Sequence, residues 1–246
     1  MLSTQSSKTG MQLTEFKTCP SRTPLIRAID GDGWRWYHLP NDRDRPENWF
    51  ASVTNILTVA VPESLRNYFI ETGGTCQKKR LAYASDVGRQ IHEMIERDLK
   101  GEDCSHNYPA LGSAYKNWLE LKEEHGIRAY ALELPVVSRR YGFAGTLDIL
   151  GEFDGRPVIM DVKTGWYSVK TGWQMAAYKQ AFEEMQNGEA QRLGMVGLLI
   201  KRDGSLAQPF VYSHSDYCWR TFLACFTVWK ALYFRKLQRM NWRYLH

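Results

Sequence analysis

The residues from Gly145 to Lys163 have the spacing of a β-hairpin that carries two aspartates and a lysine on one face. Asp154-Gly155 is a favoured two-residue hairpin turn, and apolar residues alternate along both flanking runs. With this turn as the loop, Asp148 stands directly opposite Asp161, their Cβ atoms about 5 Å apart. Lys163 lies two residues beyond Asp161 on the same face. The opposite face is predicted to be apolar core, formed by Leu147, Ile149, Val158, Met160 and Val162.

Two carboxylates that face each other on a sheet repel, so this pair requires a shared proton or a bound cation. We favour the cation, because carboxylates at bridging distance with free coordination positions suit Mg²⁺ or Mn²⁺. The alternative is an exposed ion pair between Asp161 and Lys163 on a sheet surface. The acid-x-Lys pattern recurs at Glu15, Asp98 and Glu120 and is therefore weak by itself. Only the copy at Asp161 has an acid across the hairpin, which favours the metal site.

The composition predicts a globular intracellular protein. The chain has 246 residues, of which 43% are hydrophobic, and this length allows one domain at 25–246 after a flexible lead-in at 1–24. The polar N-terminal residues lack the apolar run of a signal peptide. No stretch approaches the roughly 20 apolar residues of a membrane span. We therefore expect a soluble protein without a membrane partner.

The positive charge of the chain permits a polyanionic partner. The formal net charge is +5, and the segment 230–243 contains five basic residues and no acid among several aromatic ones. Such a mixture can stack bases and contact phosphates. The alternative for the aromatic residues is a core stripe, because one set recurs at helical spacing: Trp219, Phe222, Phe226, Trp229 and Tyr233.

Hydrophobic periodicity predicts an alternating order of helices and strands. Short aromatic strand-like pieces, such as 34–38, and a polar loop at 41–48 precede the main pattern. Helices are predicted near 63–72, 77–100, 110–124, 172–187 and 215–240, the second ending at Gly101 as a C-cap. Strands are predicted near 128–138, 143–152, 156–163, 193–201 and 207–212.

Three further polar residues are candidates for the same site. Gln174 and Tyr178 are four residues apart on one helix face, and their helix begins shortly after Lys163. The alternatives are a capping box from Thr171 to Gln174, and simple packing for Tyr178. His92 follows Gly88 by one helical turn, which leaves the imidazole an open approach, although a lone helical histidine is more often structural.

Together these residues resemble the PD-(D/E)XK nuclease superfamily, and in particular its RecB-type exonuclease branch, which includes phage nucleases and mitochondrial single-strand exonucleases. The resemblance covers about residues 52–180 and implies an α/β fold. That fold is a restriction-endonuclease-like core with a mixed β-sheet flanked by helices, here with N-terminal and C-terminal helical additions. It is carried by the order of Ser52–Leu57, Gly88-x-x-x-His92, Glu133, Gly145-Thr-Leu-Asp148, Asp161-Val-Lys163 and Gln174-x-x-x-Tyr178.

The resemblance implies roles for the individual residues. Asp148 and Asp161 would be the metal carboxylates, His92 an additional ligand, and Glu133 a further ligand or a support for the ligands. Lys163 would orient the attacking water and offset charge on the phosphorane. The remaining pair, Gln174 and Tyr178, would hold DNA phosphates or the lysine.

The resemblance also implies cofactors and partners. We expect Mg²⁺ or Mn²⁺ as cofactor, and DNA single strands or duplex ends as substrate in replication, recombination or repair. Proteins of replication or recombination are expected partners, in the host cytoplasm if the protein is phage-encoded. Some relatives hold an iron–sulfur cluster with one early and three late cysteines. We expect no cluster here, because of the five scattered cysteines only Cys76 is suitably early and only Cys218 and Cys225 are late.

Two classes of function remain open at this point. The first is a metal-dependent deoxyribonuclease, with exonuclease favoured over endonuclease. The second is a catalytically inactive nucleic-acid-binding or recombination accessory module of the same fold. Retention of His92, Asp148, Asp161 and Lys163 favours the enzyme.

Overall fold

The computed structural model describes residues 26–29, 34–38, 49–61, 75–104, 108–186 and 193–233. Within these ranges the chain is a mixed α/β structure. Its strands are β1 (Ile26–Ile29), β2 (Arg35–His38), β3 (Trp49–Ser52), β4 (Arg128–Ser138), β5 (Phe143–Phe153), β6 (Arg156–Lys163), β7 (Gly194–Leu199) and β8 (Gln208–Val211). Its helices are α1 (Val53–Ile56), α2 (Thr75–Leu99), α3 (Gly112–Glu124), α4 (Val169–Met185) and α5 (Ser215–Leu232), with short 3-10 turns at Leu57–Val59 and Pro109–Leu111.

The strands form one eight-stranded sheet, in the order β1-β2-β3-β5-β6-β7-β8, with β4 paired to β5. Strand β5 pairs with three other strands of this sheet. It pairs with β4 along one edge, and its other edge is shared between a short parallel contact with β3 and an antiparallel ladder with β6. The parallel pairing of β6 with β7 makes the sheet mixed, as predicted.

Helices cover both faces of the sheet and divide the apolar interior into two cores. The first core packs α4 and α5 against the sheet, and it contains the predicted aromatic stripe. Phe222, Phe226 and Trp229 are buried there, while Trp219 and Tyr233 are partly buried against them. The second core packs α2 and α3 against the other face. Burial on both faces explains why β5 and β6 are nearly continuous apolar runs.

The element predictions are confirmed for the central part of the chain. Helix α2 ends at Leu99, and Gly101 has the positive φ of +83° that a glycine C-cap supplies. The predicted helix at 63–72, the loop at 41–48 and the lead-in at 1–24 lie outside the described residues, as does 234–246, which holds most of the basic segment. No helix that the structure describes is long and apolar enough to span a membrane.

The start of α4 corrects one sequence interpretation. The helix begins at Val169, and Ser168 is its N-cap, with its hydroxyl accepting a hydrogen bond from the Lys170 N–H at 3.2 Å. Thr171 is therefore already inside the helix and buried. The spacing of Thr171 and Gln174 does not form a capping box, and this leaves the Gln174 side chain available for another role.

Candidate active site

The turn at Asp154-Gly155 sets the register of the hairpin as predicted. Both residues have positive φ, +51° and +69°, which is the requirement of a type I′ turn. Phe153 pairs with Arg156, and the ladder continues to the pair of Ile149 with Met160. The predicted register of the hairpin is therefore correct as far as Ile149 and Met160, the residues next to the two aspartates.

The ladder stops one pair short of the predicted pair of Asp148 with Asp161. On its other edge, β6 pairs with β7 from Val158 to Lys163, and Asp161 pairs there with Gly197. The Asp148 carboxylate Oδ2 instead accepts a hydrogen bond from the backbone N–H of Val162 at 2.9 Å. The direct cross-strand pair is thus wrong, because a side-chain acceptor takes the place of the next ladder bond.

The alternation of buried side chains breaks at Asp148. Ile149 packs in the second core, whereas Leu147 packs in the first core beside Leu150. The prediction that Leu147 and Ile149 share one apolar face is therefore wrong. On the neighbouring strand β4, Leu134 and Leu132 are divided between the two cores in the same way.

Glu133 provides the backbone reason for the break in β4. Its φ is +47°, a left-handed conformation that costs a non-glycine residue about 1–3 kcal/mol and clusters at functional sites. Leu132 and Leu134 pair with Ile149 and Leu147, so Glu133 stands across from Asp148. In both strands the residues before and after the acid therefore lie on opposite faces of the sheet, and Glu133 and Asp148 are neighbours.

Helix α2 adds His92 to these two acids. The His92 Nδ1 lies 3.6 Å from Asp148 Oδ2. One ligand atom each from His92, Glu133 and Asp148 can be chosen such that all three lie within 4.8 Å of one another. One turn before His92, a Cβ on Gly88 would lie 3.1 Å from Thr164 Oγ1, so the glycine lets α2 approach the end of β6. The structure therefore brings together three of the four predicted metal ligands.

The chemistry of this donor set fits a divalent cation. Burial lowers the pKa of His92 below its ordinary value, which favours the neutral imidazole that a metal needs. Burial, and then the charge of Asp161, raise the pKa of Asp148 well above its ordinary value. Burial and a nearby negative charge both disfavour the ionised carboxylate, and a bound cation would offset both effects. Glu133 is exposed and adds a second carboxylate.

Asp161, the fourth predicted ligand, is buried beside this cluster and is held by other side chains. Its Oδ1 accepts a hydrogen bond from Gln174 Nε2 at 3.0 Å, and its Oδ2 is in an ion pair with Lys163 Nζ. Asp161 is not among the three residues whose ligand atoms converge. It is nevertheless close enough for its charge to act on Asp148.

Lys163 is a partly exposed cation among buried acids, with a side chain that is 34% exposed. Burial acts to lower the pKa of Lys163, but the charges of Asp161 and Asp148 outweigh it and raise that pKa above the ordinary value. The ammonium group is therefore charged at neutral pH. A fixed positive charge that reaches solvent from an acidic pocket is suited to stabilise an anionic group that approaches from outside.

Gln174 and Tyr178 have different positions in the site. Gln174 is half-buried, and its Nε2 also lies 3.1 Å from Tyr178 Oη. Tyr178 is 3% exposed, so its ring belongs to the core and its hydroxyl supports Gln174. A Cβ on Gly145 would lie 2.3 Å from the Tyr178 Cε1, which explains the glycine three residues before Asp148.

Sequence reasoning missed the main-chain donor at Val162. Its role depends on where the β5–β6 ladder ends, which no residue type encodes. The positive φ of Glu133 was equally invisible, since glutamate has no preference for left-handed backbone.

A comparison with protein families agrees with this geometry. The family model described as the PD-(D/E)XK nuclease superfamily matches residues 63–227, which is about two thirds of the chain. The match includes the three converging ligands and the residues Asp161, Lys163, Gln174 and Tyr178. No curated protein matches the chain.

Proposed function

The chain belongs to the PD-(D/E)XK nuclease superfamily, and from this premise we propose that it is a Mg²⁺- or Mn²⁺-dependent deoxyribonuclease of the RecB-type exonuclease branch. The superfamily identifies a nuclease. The choice of DNA, of an exonuclease and of these two metals is our proposal. Replication, recombination or repair of DNA is the process in which such an activity would serve.

The convergence of His92, Glu133 and Asp148 beside Lys163 is the observation that carries the proposal. These residues come from α2, β4, β5 and β6, so four separate elements supply them. A structural ion pair on a sheet surface needs only two of these residues and no histidine. The left-handed Glu133 and the raised pKa of Asp148 are both unfavourable for the metal-free fold. Binding of a cation at this site would explain why the protein retains both unfavourable features.

The residues have distinct roles in this proposal. His92, Glu133 and Asp148 would hold the cation, and Asp161 would be a further ligand or would fix Lys163. A divalent cation bound there would supply Lewis-acid stabilisation of the phosphodiester and a lowered pKa for the attacking water. Lys163 offsets negative charge that develops on the phosphate in the transition state. Gln174 holds the Asp161 carboxylate in place through its 3.0 Å hydrogen bond.

The requirement for a DNA end tests the exonuclease proposal. Purified protein is incubated with Mg²⁺ or Mn²⁺ and with linear and covalently closed circular DNA, each single-stranded and double-stranded. We expect linear molecules to be degraded and closed circles to survive. Degradation of circles as fast as linear molecules would replace the exonuclease by an endonuclease. Binding of DNA without hydrolysis in either metal would identify an inactive accessory module.

A further inference from the structure

A group of aromatic and basic side chains lies beside the site and has no role in the chemistry described above. Trp166 is 83% exposed, the most of any large hydrophobic side chain among the described residues. Lys201 Nζ lies 4.6 Å from its ring centroid, and Arg202 lies 5.0 Å from the ring centroid of the exposed Tyr83. We name Trp166, Tyr83, Lys201 and Arg202 the Trp166 platform.

Three of the four platform residues line an open cavity at the carboxyl ends of two parallel strands. The cavity has a volume of about 450 Å³ and is lined by Thr164, Gly165, Trp166, Lys201, Arg202 and Asp203. Its two walls follow β6 and β7 directly, and the Ile200 N–H donates to the Lys163 carbonyl at 2.8 Å. One wall therefore begins next to Lys163, and the other begins one residue after Ile200.

Helix α2 links the platform to the metal ligands. Tyr83 and His92 are nine residues apart on this helix, a distance of about 14 Å along its axis. Gly88 lies between them and meets Thr164 at the cavity wall. At about 3.4 Å per phosphate of one stacked strand, a nucleic acid with its phosphate at His92 and Asp148 would reach Tyr83 with about four nucleotides.

The backbone that presents the platform is held in place on both sides. Asp203 Oδ1 accepts from the Ser205 N–H at 2.9 Å, and Asn117 donates to the carbonyls of Gly204 and Ser205 at 2.8 and 2.9 Å. On the other wall, Tyr212 donates to the Ser168 carbonyl at 3.0 Å. Trp166 is thus exposed on a loop with fixed ends, which reduces the entropy lost when a ligand binds.

The charges of the platform favour a polyanion. Lys201 and Arg202 are cationic, and the one acid of the cavity, Asp203, is occupied by hydrogen bonds from Ser205. Exposed indole and phenol rings next to cations match the requirements of single-stranded nucleic acid, where bases stack and phosphates meet positive charge. Paired bases in a duplex are not available for stacking on a protein side chain.

We propose that the Trp166 platform binds unpaired bases of single-stranded DNA next to the phosphate that is hydrolysed, with Trp166 and Tyr83 stacking on bases and Lys201 and Arg202 contacting phosphates. This inference rests on the proposed function, because it assigns the substrate of that site. It makes single-stranded DNA, rather than duplex, the form that the enzyme engages beside its reacting atoms.

Binding of labelled DNA tests the platform separately from hydrolysis. The parent protein is Lys163→Ala with Mg²⁺, so that the strand remains intact. Its affinity for fluorescein-labelled oligothymidylate is measured by anisotropy, alone and with Trp166→Ala, Trp166→Phe or Tyr217→Ala added. Tyr217 is the matched control, since it is 62% exposed on α5 and does not line the cavity. An abasic strand of equal length is the second probe.

We expect Trp166→Ala to weaken binding of oligothymidylate by about 5- to 150-fold, the loss of one stacked base. Trp166→Phe should restore most of the affinity, and Tyr217→Ala should leave it unchanged. The abasic strand should bind the parent weakly and be insensitive to Trp166→Ala. A parent that does not bind oligothymidylate, or Trp166→Ala binding as tightly as its parent, would overturn the inference.

Hydrolysis of linear single-stranded DNA by the unmodified protein is measured in parallel. If the unmodified protein hydrolyses DNA but Trp166→Ala does not weaken binding, the proposed role of the Trp166 platform is wrong and the nuclease proposal is unaffected. Trp166-dependent binding without hydrolysis in Mg²⁺ or Mn²⁺ would overturn the nuclease proposal instead. Failure of the platform proposal can therefore be distinguished from failure of the nuclease proposal.

Discussion

The Asp148 carboxylate accepts a hydrogen bond from the backbone N–H of Val162 at 2.9 Å, and this bond joins β5 to β6 where their ladder ends. Val162 is buried, so its N–H depends on this acceptor. The same carboxylate lies 3.6 Å from His92 and faces the charge of Asp161. Asp148 therefore has a structural role and, in our proposal, a second role as a metal ligand; two substitutions separate the two roles.

Asp148→Asn retains an acceptor and removes the charge, whereas Asp148→Ala removes both. In EDTA we expect the asparagine variant to be at least as stable as the unmodified protein. The alanine variant should be less stable than the asparagine variant by about 1–3 kcal/mol, the cost of a buried donor without a partner. Chemical denaturation in EDTA measures both differences. Equal stability of the two variants would show that the bond to Val162 does not contribute.

The same variants report on the cation. Mg²⁺ or Mn²⁺ that binds only the folded protein stabilises it by RT ln(1 + [L]/Kd), about 2.7 kcal/mol at 100 times Kd. We expect thermal melts of the unmodified protein to shift upward with metal, and Asp148→Asn to lose nearly all of that shift. A variant that keeps the full shift would remove Asp148 from the ligand set.

The raised pKa of Asp148 predicts how the metal-free protein depends on pH. The unfolded value is near 3.8, and the folded value is well above it because of burial and the charge of Asp161. Below 3.8 the group is protonated in both states and costs nothing. As pH rises from 3.8 to the folded pKa, the unfolded state releases its proton while the folded state still holds it, so the free energy of unfolding falls. Above the folded pKa the buried charge has formed, and the loss of stability is complete.

The stability advantage of Asp148→Asn in EDTA should therefore be absent at acid pH and grow as pH rises. Proton competition also predicts that metal affinity increases over the same range. Denaturation curves of both proteins across pH, and metal titrations of the unmodified protein, check these statements. An advantage that stays constant with pH would contradict a titrating Asp148.

Gly145 is predicted to be intolerant of any side chain. A Cβ there would lie 2.3 Å from the buried ring of Tyr178, so Gly145→Ala should cost about 1–3 kcal/mol of stability by overpacking. Adding Tyr178→Leu should recover part of the loss, a coupling that a double-mutant cycle measures. Gly112→Ala is the control, since nothing lies within 4 Å of its Cβ position. A loss of the same size at Gly112 would contradict the steric explanation.

Gln174 is predicted to position Asp161. A hydrogen bond to a charged group contributes about 1.5–3 kcal/mol, so Gln174→Ala should slow hydrolysis by about tenfold or more. Gln174→Glu places a second carboxylate against Asp161 and should be slower still near neutral pH. Its rate relative to the unmodified protein should rise as pH falls and the new acid is protonated. Glutamate and alanine variants with the same pH profile would contradict this role.

The sequence was sufficient for the elements that follow local rules. The Asp154-Gly155 turn encodes its own geometry, so the hairpin register could be predicted to the residue, and Gly101 marked the end of α2. The other features depend on which hydrogen-bond partners the folded chain brings together. Asp148 accepts from the Val162 N–H where the β5–β6 ladder ends at Ile149 and Met160, and α4 begins at Val169 because the Ser168 hydroxyl, not the one of Thr171, accepts from an N–H of the first turn. Neither outcome is a property of a short segment.

Hydrolysis by Lys163→Ala is the measurement that tests the central claim most directly. The unmodified protein and this variant are incubated with linear single-stranded DNA in Mg²⁺, in Mn²⁺ and in EDTA, after thermal melts have shown that both are folded. We expect hydrolysis by the unmodified protein in metal and none in EDTA, with the variant slower by about 10²–10³. Hydrolysis that persists in EDTA, or a variant as fast as the unmodified protein, would contradict a metal-dependent nuclease centred on Asp148, Asp161 and Lys163.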